Sequence, residues 1–558
     1  MQSDKQIIVL KFGSSVLRSE SDLPTAVHEI YRWWREGFQV VTVVSAFGNT
    51  TDELTQRAHS VCDQPNDELV AALLATGEAA SSALLGLALN RSGIRATVLD
   101  AEQAGLATDG PVLDANLTSI DTVSVHEALR NGVVVLPGFV GRGKSGKKTL
   151  LGRGGSDLTA LFIAQRLGAT CRLIKDVDGL YTSDPNATRT AARFGRVSYA
   201  TAARVGGAVV QRKAIDFAEQ HRLKLIVSSA GSSRATEIGP YPDSIVLTNA
   251  QVQPLRVALL GCGTVGGGVH QRLAALPEIF DVVGVGTRDV CLETLIAEPV
   301  DVVIELLGGE EPARTLISKA LRLGRHVVTA NKCLLAKDLA ILQRLASNNG
   351  VALKYSAAVG GVLPALETVT RARKFAPLHS ISGVLNGTTN FILDQLANGS
   401  DLAGAVSAAQ KHGYAERDSQ LDLNGTDSAQ KLILLARAAF DVDLPLSSIE
   451  THGIQNLNAN QIQTARNNSR ITRLVAECRR ESHGFAAKVS PVELPFDHPL
   501  AHVRGVENRL LIQSQTGKSW DVCGSGAGRW PTTEAVLADL FDLWRNSVAV
   551  EEEQECVA

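Results

Sequence analysis

Two glycine-rich turns, one in each half of the chain, limit the folds that this sequence can adopt. The first reads Gly152-Arg153-Gly154-Gly155-Ser156-Asp157 and the second reads Gly261-Cys262-Gly263-Thr264-Val265-Gly266. Each follows a strand-like apolar run and precedes a helix-like segment, where glycine permits a tight turn and a close approach of phosphate to the backbone. A chain of 558 residues is too long for one ordinary core, so we expect three or four packed units and two ligand sites.

The charge and cysteine content favour small-molecule chemistry. With 55 Lys and Arg against 58 Asp and Glu, the net charge of -3 offers no basic excess for nucleic acid or an anionic membrane. The eight cysteines are scattered without a CxxC pair, as is usual in a reducing cytosol. The first residues lead straight into an apolar strand and lack the long apolar stretch of a signal peptide or membrane span. We therefore expect a cytoplasmic protein with no nucleic-acid or membrane partner.

Short apolar runs alternate with helix-length segments, which predicts α/β folds in both halves. The first half contains predicted strands at Ile7–Leu10, Val40–Val44, Ala96–Leu99, Val133–Leu136 and Arg172–Lys175, and predicted helices at Glu68–Asn90 and Leu158–Leu167. From Leu255 the rhythm is that of a dinucleotide fold, with strands at Arg256–Leu260, Val282–Gly286, Val302–Leu306 and His326–Thr329 and a helix at Val265–Leu276. Later helices are predicted at Leu402–His412, Thr426–Phe440 and Thr533–Trp544. The segment Asn249–Pro254 is the plausible boundary between the halves.

A literal P-loop motif lies at Gly138–Ser145, but its context does not suit a P-loop. A P-loop delivers its Lys and Ser into the first turn of a helix, whereas Lys144-Ser145 is followed by Gly146 and a short strand. We interpret the segment as a hairpin in which Val133–Leu136 turns back through Thr149–Leu151 with basic residues at its exposed tip. A P-loop NTPase fused to a reductase stays open as an alternative in which Lys144 is essential.

The turn at 152–157 is a better phosphate cradle. Ser156 and Asp157 are predicted to cap a helix that starts at Leu158, and Arg153 offers a planar fork to a carboxylate or phosphate. The alternative is that the segment is an ordinary strand-to-helix turn that binds no ligand. Three further segments follow predicted strands, at the sheet edge where open α/β sheets bind ligands: Lys11-Phe12-Gly13-Ser14-Ser15, Ser45–Thr51 and Lys175–Pro185.

With Thr76-Gly77-Glu78, these segments resemble the catalytic domain of aspartate kinase in the amino-acid-kinase fold, over about residues 6–240. The resemblance implies that ATP with Mg²⁺ phosphorylates L-aspartate. It places Lys11 at the transferred phosphoryl group, with Asp157 also catalytic. Aspartate would be held by Thr51, Glu78, Arg153 and Ser156, and the ATP site would include Gly13, Asp176 and Tyr181. Such sites work through positioned cations and dipoles around the phosphoryl group.

The kinase-like half departs from that family at three places. Its opening motif is one residue shorter than usual, Asn186 stands where the family often has Arg, and Val209 stands where the family has an ATP-site Lys. We hypothesise that Arg212 or Lys213 substitutes for the missing cation. An alternative is that this half has lost catalysis and serves as a binding or oligomerisation module.

The second half begins with a dinucleotide signature in a favourable setting, between a predicted strand and a predicted helix. Its next strand ends at Gly286-Thr287-Arg288, without the carboxylate that binds an unphosphorylated ribose. Arg288 suits a 2′-phosphate, which favours NADP(H) over NAD(H), although a surface role for Arg288 is the alternative.

Further motifs carry lysine and carboxylate groups: Glu305–Gly309, Thr329-Ala330-Asn331-Lys332, Ala358–Pro364, Leu385–Asn390 and Gly413–Lys431. Asp427 and Lys431 are four residues apart and so lie on one helix face, which is most often a surface ion pair. Glu416 and Asp422 precede them in an acidic loop, and this setting favours a substrate site.

This half resembles homoserine dehydrogenase over about residues 255–545, most specifically at Gly413–Lys431. The resemblance implies interconversion of L-aspartate 4-semialdehyde and L-homoserine, with Lys332 and Lys431 flanking the reacting carbon. Glu416, Asp422 and Asp427 would bind substrate or orient lysine. The cofactor would contact Gly261, Gly263, Thr264, Val265, Gly266, Arg288, Asn331, Lys332 and Gly528, the last within a return segment at Gly524–Gly528. A Na⁺ or K⁺ site is implied at Val359, Gly361 and Leu363, with Ser356 where the family often has Glu.

Together the resemblances imply a bifunctional enzyme of the aspartate pathway, whose two sites catalyse non-consecutive steps. The predicted class is α/β: an amino-acid-kinase αβα sandwich at 1–250, a Rossmann-type NAD(P)-binding domain at 251–384, an α+β substrate and dimerisation domain at 385–510, and a return to the nucleotide domain at 511–558. A homodimer or higher homo-oligomer is expected. The short join leaves no room for the paired regulatory domains of familiar fusions, so we expect no inhibition of the kinase by threonine or lysine through that route.

Overall fold

A computed structural model describes residues 6–185, 187–188, 191–207, 209–246, 253–287, 290–415 and 418–557. The chain divides into two compact units, Met1–Val252 with Arg545–Ala558, and Gln253–Trp544. The mixed α/β class expected from the sequence is confirmed in both units.

The first unit is built on a mostly parallel sheet with the strand order β13-β10-β12-β11-β9-β1-β2-β6-β3. Its central strands are runs of Val, Ile and Leu that are buried almost throughout, as expected when both faces of a parallel sheet are covered. A smaller sheet has the order β5-β4-β7-β8. The strands are β1 Ile7–Phe12, β2 Gln39–Val44, β3 Ala96–Val98, β4 Ala107–Asp109, β5 Asn116–Ser119, β6 Val133–Pro137, β7 Val140–Arg142, β8 Lys148–Leu150, β9 Thr170–Lys175, β10 Arg193–Ser198, β11 Leu225–Ser229, β12 Thr236–Gly239 and β13 Ser244–Val246.

The helices of the first unit pack onto these sheets and complete its core. They are α1 Leu23–Arg35, α2 Thr50–Val61, α3 Asp67–Arg91, α4 Thr122–Asn131, α5 Gly155–Leu167, α6 Tyr199–Val205 and α7 Arg212–Gln220. Of the described helices, α3 is long and apolar enough to cross a membrane by length and composition. Half of its most apolar stretch is buried inside the unit, where the helix packs against β3, β6 and β8.

The second unit begins with a parallel sheet of order β15-β14-β16-β17-β18, a doubly wound arrangement whose direction of winding reverses between β14 and β16. Ligands bind such sheets at the carboxyl ends of the two strands that flank the reversal. A second, mainly antiparallel sheet has the order β20-β22-β21-β19-β23-β24. The strands are β14 Leu255–Leu260, β15 Phe280–Gly286, β16 Val302–Glu305, β17 His326–Thr329, β18 Leu353–Lys354, β19 Leu378–Val384, β20 Glu450–Thr451, β21 Arg470–Glu481, β22 Gly484–Pro495, β23 Glu507–Ser514 and β24 Ser519–Ser525.

One apolar core joins the two sheets of the second unit through the helices between them. The predicted boundary at 384 falls at the end of β19, and the one at 510 falls inside β23. The helices are α8 Thr264–Leu273, α9 Leu292–Ala297, α10 Ala313–Arg322, α11 Lys332–Asn348, α12 Ser356–Gly360, α13 Ala365–Phe375, α14 Gly387–Ala397, α15 Leu402–Lys411, α16 Gln420–Leu423, α17 Thr426–Phe440, α18 Ala459–Asn467 and α19 Arg529–Val557.

Candidate active sites

The first unit contains a buried carboxylate between two lysines. Lys11 lies near the end of β1 and Lys175 ends the neighbouring parallel strand β9, so both reach the same edge of the sheet. Asp157, in the first turn of α5, places its Oδ1 2.8 Å from the Lys11 ammonium and its Oδ2 3.0 Å from the Lys175 ammonium. All three side chains are buried. The sequence pointed to Lys11 and Asp157 but assigned no role to Lys175.

The turn before α5 differs from the predicted cap. The helix begins at Gly155 rather than at Leu158, its N-cap is Gly154 in the left-handed conformation (φ 81°), and Ser156 and Asp157 are buried within the first turn instead of capping it. A residue with a side chain would be strained at this φ. Gly154 therefore permits the turn that places Asp157 in the buried first turn of α5. Burial alone would raise the pKa of Asp157, but the Lys11 and Lys175 ammonium groups lower it below its ordinary value.

Glu78 is a second buried carboxyl group in this unit. It lies on α3, and burial raises its pKa to about 8, although a hydrogen bond from the backbone of Ala46 and the charge of Lys11 act in the opposite direction. The methyl group of Ala46 would lie 3.1 Å from a Cβ placed on Gly77, so the loop after β2 approaches α3 closely. Thr51 is half-buried in the first turn of α2, directly after this loop.

Other predicted residues of the first unit lie around the same sheet edge. A Cβ on Gly13 would stand 2.8 Å from the Lys11 ammonium, so this glycine makes room for it. Arg153 and Asp176 are exposed. The Tyr181 hydroxyl donates a 2.7 Å hydrogen bond to Asp178, and burial raises its pKa. Asn186 lies outside the described residues.

The P-loop-like segment is a surface hairpin, although not the predicted one. Val133–Pro137 is a strand of the main sheet, and the arm that pairs with Lys148–Leu150 is Val140–Arg142 instead. The apolar run at 133–136 was the wrong arm, because its valines form a fully buried parallel strand beside β2. Lys144 is exposed at the tip and pairs with Asp109, so the interpretation as a solvated turn holds.

The glycine turn of the second unit lies where the direction of winding reverses. Gly261 (φ 97°) follows β14, and a Cβ there would lie 2.8 Å from the carbonyl oxygen of Leu306, which follows β16. A Cβ on Gly266 would lie 2.0 Å from the Gly261 oxygen, whereas a Cβ on Gly263 would meet none of the described atoms within 4 Å. This open cradle fits a dinucleotide pyrophosphate at the start of the next helix.

That helix, α8, runs over Thr264–Leu273 and so includes Thr264 and Val265 in its first turn. It ends three residues before the predicted Leu276. Arg288, on which the preference for NADP rests, lies outside the described residues.

A buried glutamate organises the loop opposite the glycine turn. Glu305, at the end of β16, accepts hydrogen bonds from the backbone N–H groups of Leu307 (2.8 Å) and Gly308 (3.2 Å) and from the Thr329 hydroxyl (2.6 Å). The side-chain oxygen of Asn331 caps α11 by accepting a hydrogen bond from the Leu334 N–H, and its amide nitrogen donates to the Gly309 carbonyl at 2.7 Å. The sequence marked this motif but gave Glu305 no role.

The second unit repeats the arrangement of a carboxylate between two lysines. Asp427 Oδ1 lies 3.1 Å from the Lys332 ammonium, and its Oδ2 lies 2.9 Å from the Lys431 ammonium. Asp427 and Lys431 share one face of α17, as expected from their spacing, and both are buried, which excludes a surface ion pair. Burial would raise the pKa of Asp427, but the charges of Lys431 and Lys332 lower it well below its ordinary value.

Asparagines that the sequence did not single out hold this cluster. Asn386 donates to Asp422 at 2.6 Å and to Asp427 at 2.8 Å. The carbonyl of Leu385 accepts from Lys431 at 2.7 Å and from Asn508 at 2.9 Å. Burial and the neighbouring charge of Asp427 raise the pKa of Asp422. Glu416 lies outside the described residues.

The segment around Gly528 adjoins the nucleotide-binding sheet. A Cβ on Gly524 would lie 3.1 Å from the backbone of Leu363, and one on Gly268 in α8 would lie 2.5 Å from the Thr533 hydroxyl in α19. The predicted cation residues Val359, Gly361 and Leu363 surround the end of α12. Ser356 donates a 2.7 Å hydrogen bond to Glu367 and lies 3.0 Å from Asp539. Among the described residues, no group of three or more His, Cys, Asp or Glu side chains could hold a metal ion.

The second unit thus combines the sheet of a dinucleotide-binding dehydrogenase with a cluster of lysine and carboxylate groups. Family models match the homoserine dehydrogenase NAD-binding domain at residues 261–355, homoserine dehydrogenase at 364–541 and the amino acid kinase family at 6–229. The chain belongs to the homoserine dehydrogenase family, and it carries an amino-acid-kinase domain ahead of the dehydrogenase domains. An NAD-binding domain and a kinase domain imply nucleotide cofactors for both units.

Relatives match the dehydrogenase half. The homoserine dehydrogenase of Lactococcus lactis is 34% identical over an alignment of 316 residues, and the match covers 52% of this chain and 74% of that protein. That of Corynebacterium glutamicum is 33% identical over 321 residues, covering 52% and 72%. A crystal structure of a homoserine dehydrogenase from Thiobacillus denitrificans aligns with a TM-score of 0.51 at 32% identity, covering 53% of this chain and 74% of that one.

Proposed function

We propose that this chain is bifunctional: it phosphorylates L-aspartate to 4-phospho-L-aspartate with ATP, and it interconverts L-aspartate 4-semialdehyde and L-homoserine with NADP(H). The observation that carries both halves is the buried carboxylate between two lysines at each predicted nucleotide edge. In the first unit all three charged groups are buried, which is costly unless a function or strong pairing maintains them. Their presence in the first unit argues against a degenerate kinase-like module.

In the kinase unit, Lys11 is proposed to meet the charge that develops on the transferred phosphoryl group, with Asp157 holding its ammonium in place. Glu78 and Arg153, with Thr51 and Ser156, would bind the ammonium and carboxylate groups of aspartate. Gly13, Asp176 and Tyr181 would line the ATP site. Mg²⁺, carried on the nucleotide phosphates, would neutralise further charge.

In the dehydrogenase unit, the glycine turn and Asn331 would bind the dinucleotide, with Gly528 closing that site. When bound there, the dinucleotide would supply hydride chemistry at the carbon that carries the substrate oxygen. Lys332 or Lys431 would donate or accept the proton of the substrate oxygen, because Asp427 holds both ammonium groups in place. Such acid–base help typically contributes about 10²–10⁴-fold in rate. Glu416 and Asp422 would bind the substrate amino group.

The finer assignments rest on the sequence. Arg288 would select NADP(H), and the backbone around Val359, Gly361 and Leu363 would accept Na⁺ or K⁺. We also propose a homo-oligomer, dimeric or larger, in the cytoplasm, acting on small molecules without nucleic-acid or membrane partners. Aspartyl phosphate must leave for another enzyme before it returns as semialdehyde, because the intermediate reduction is absent from both proposed reactions.

Two assays on one purified sample test the proposal. The first measures ATP-dependent aspartyl hydroxamate formation, and the second follows NADP⁺ reduction by homoserine at 340 nm. We expect Lys11→Met to abolish only the first and Lys431→Met to abolish only the second. A wild-type protein with dehydrogenase but no kinase activity would leave the first unit as a binding module. Strong inhibition of the kinase by threonine or lysine would contradict the inference from the short join.

A further inference from the structure

The basic residues that follow Val209 on α7, Arg212 and Lys213, both have partners within the first unit. The Arg212 guanidinium is exposed and pairs with Asp216 at 2.6 Å, one turn along the same helix. The Lys213 ammonium lies 2.7 Å from Asp114 and 2.8 Å from the Leu151 carbonyl, so it anchors the start of the turn at 152–155. Both side chains already have partners, which favours a cation from elsewhere in the unit over the two residues named from the sequence.

Lys175 reaches the phosphoryl-transfer site from another strand. It is the last residue of β9, which pairs in parallel with β1 on one side and with β11 on the other. Its ammonium lies 3.0 Å from Asp157 Oδ2, whereas Lys11 occupies Oδ1 of the same carboxylate. One carboxylate thus orients two ammonium groups toward the end of the sheet where the ligand loops lie.

The charges of this cluster do not cancel. Two ammonium groups and one carboxylate leave one positive charge at side chains that are each less than 10% exposed. An uncompensated buried charge destabilises the fold, and a bound anion would offset this destabilisation. Burial lowers the pKa of Lys175 and the neighbouring Lys11 lowers it further, although Asp157 and Asp176 act in the opposite direction.

We propose that Lys175 is the second cation of the kinase site that contacts the phosphoryl group. It would supply the positive charge that the uncharged Val209 cannot. The proposal rests on the kinase function proposed above. Lys11 and Lys175 would contact different oxygens of the γ-phosphoryl group, with Asp157 fixing their spacing. The bond from the γ-phosphorus to the oxygen bridging it to ADP breaks, ADP keeps the electron pair, and a new bond forms to an oxygen of the substrate carboxylate. Neither lysine gains or loses a proton, so each acts through its charge.

The test compares Lys175→Met with wild type and with Arg212→Met, a matched removal of an exposed cation. Because removing one preorganised electrostatic partner typically costs about 10²–10³-fold in turnover, we expect a kinase kcat at least 100-fold lower for Lys175→Met and within twofold of wild type for Arg212→Met. Calorimetry with Mg²⁺ should show at least tenfold weaker binding of the non-hydrolysable analogue AMP-PNP, with ADP affinity within twofold, because ADP lacks the γ-phosphoryl group.

Three controls keep the outcomes separate. Wild-type kinase turnover tests the proposed function itself, and homoserine dehydrogenase activity on the same chain reports on intact protein. Lys175→Arg preserves the charge and the ion pair with Asp157, so it should fold and keep at least a tenth of the turnover. Kinase activity of Lys175→Met within twofold of wild type would overturn the proposal. So would equal loss of AMP-PNP and ADP affinity, or complete loss of turnover in a folded Lys175→Arg protein.

Discussion

Replacing Asp427 with asparagine separates the two ammonium groups of the dehydrogenase site from their shared counter-charge. Lys431 is less than 10% exposed, so its charge would be left buried, and removing one partner of such a pair typically costs about 3–5 kcal/mol. The side chain of Lys332 is 39% exposed, so its pairing with Asp427 adds only about 0–1 kcal/mol. Because asparagine retains a hydrogen-bonding oxygen, we expect a total loss of about 3 kcal/mol in the free energy of unfolding.

Thermal unfolding and steady-state kinetics measure the two consequences. For large domains ~1 kcal/mol shifts Tm by about 2–4 °C, so the dehydrogenase unit of Asp427→Asn should unfold roughly 6–12 °C lower. Its kcat for homoserine oxidation should fall about 10²–10⁴-fold, because the lysine that handles the proton is no longer oriented. Asp441→Asn is the matched control, since Asp441 is exposed at the end of the same helix and has a left-handed backbone that asparagine tolerates.

The effect on stability should depend on pH in one direction. Burial would raise the pKa of Asp427, but the two lysines hold it below its ordinary value. A carboxylate with a lowered pKa stabilises the fold fully above its unfolded pKa of about 3.9, and this stabilisation is lost as pH falls toward the folded pKa. The Tm difference between wild type and Asp427→Asn should therefore narrow below about pH 4. A variant with the Tm of Asp441→Asn and more than a tenth of wild-type kcat would refute this account.

The remaining predictions concern three other groups. Glu305→Gln replaces a carboxylate that accepts three hydrogen bonds with an amide that has only one oxygen. An unsatisfied buried donor costs about 1–3 kcal/mol, so the KM for NADP⁺ should rise about tenfold while kinase turnover is unchanged. Equal KM values would show that the loop does not depend on this carboxylate. Burial raises the pKa of Glu78 to about 8, so this group is mostly protonated at pH 7. Its contribution to the stability of the fold is therefore present below its ordinary pKa and is lost as the pH rises from there through 8. Binding of the aspartate ammonium should therefore release about one proton at pH 7, visible as buffer-dependent binding enthalpy and absent in Glu78→Gln. Lys144→Ala should leave both activities within twofold of wild type, because this side chain lies at an exposed turn, whereas loss of kinase turnover would revive the P-loop alternative.

Local sequence patterns predicted much of the framework. The strand at His326–Thr329 and the helix at Thr426–Phe440 have the predicted bounds, and most other elements differ by a few residues at their ends. The wrong hairpin arm at 133–136 has a physical cause, since a short run of valines predicts a strand but does not specify its partner. The partner of β6 is β2, which is distant in the sequence.

The sites were predictable where chemistry lies within one segment and not where it depends on distant segments meeting. The spacing of Asp427 and Lys431 identified a pair on one helix. Lys175 meets Asp157 because β9 lies next to β1 and α5 starts above them, which no local pattern specifies. Asn386 and Asn508 likewise reach the dehydrogenase cluster from separate strands and turns. The available signal for Lys175 was a lysine at the end of a predicted strand, directly before the segment that contains Asp176 and Tyr181.

The repeated carboxylate between two lysines divides the ionisable groups of each unit into permanent charges and titrating ones. The lysines lower the pKa of Asp157 and of Asp427, so neither carboxylate changes its protonation near neutral pH. Glu78 in the first unit and Asp422 in the second have raised pKa values instead, that of Glu78 to about 8. We therefore expect the pH dependence of ligand binding in the first unit to follow Glu78, while Asp157 keeps a constant negative charge.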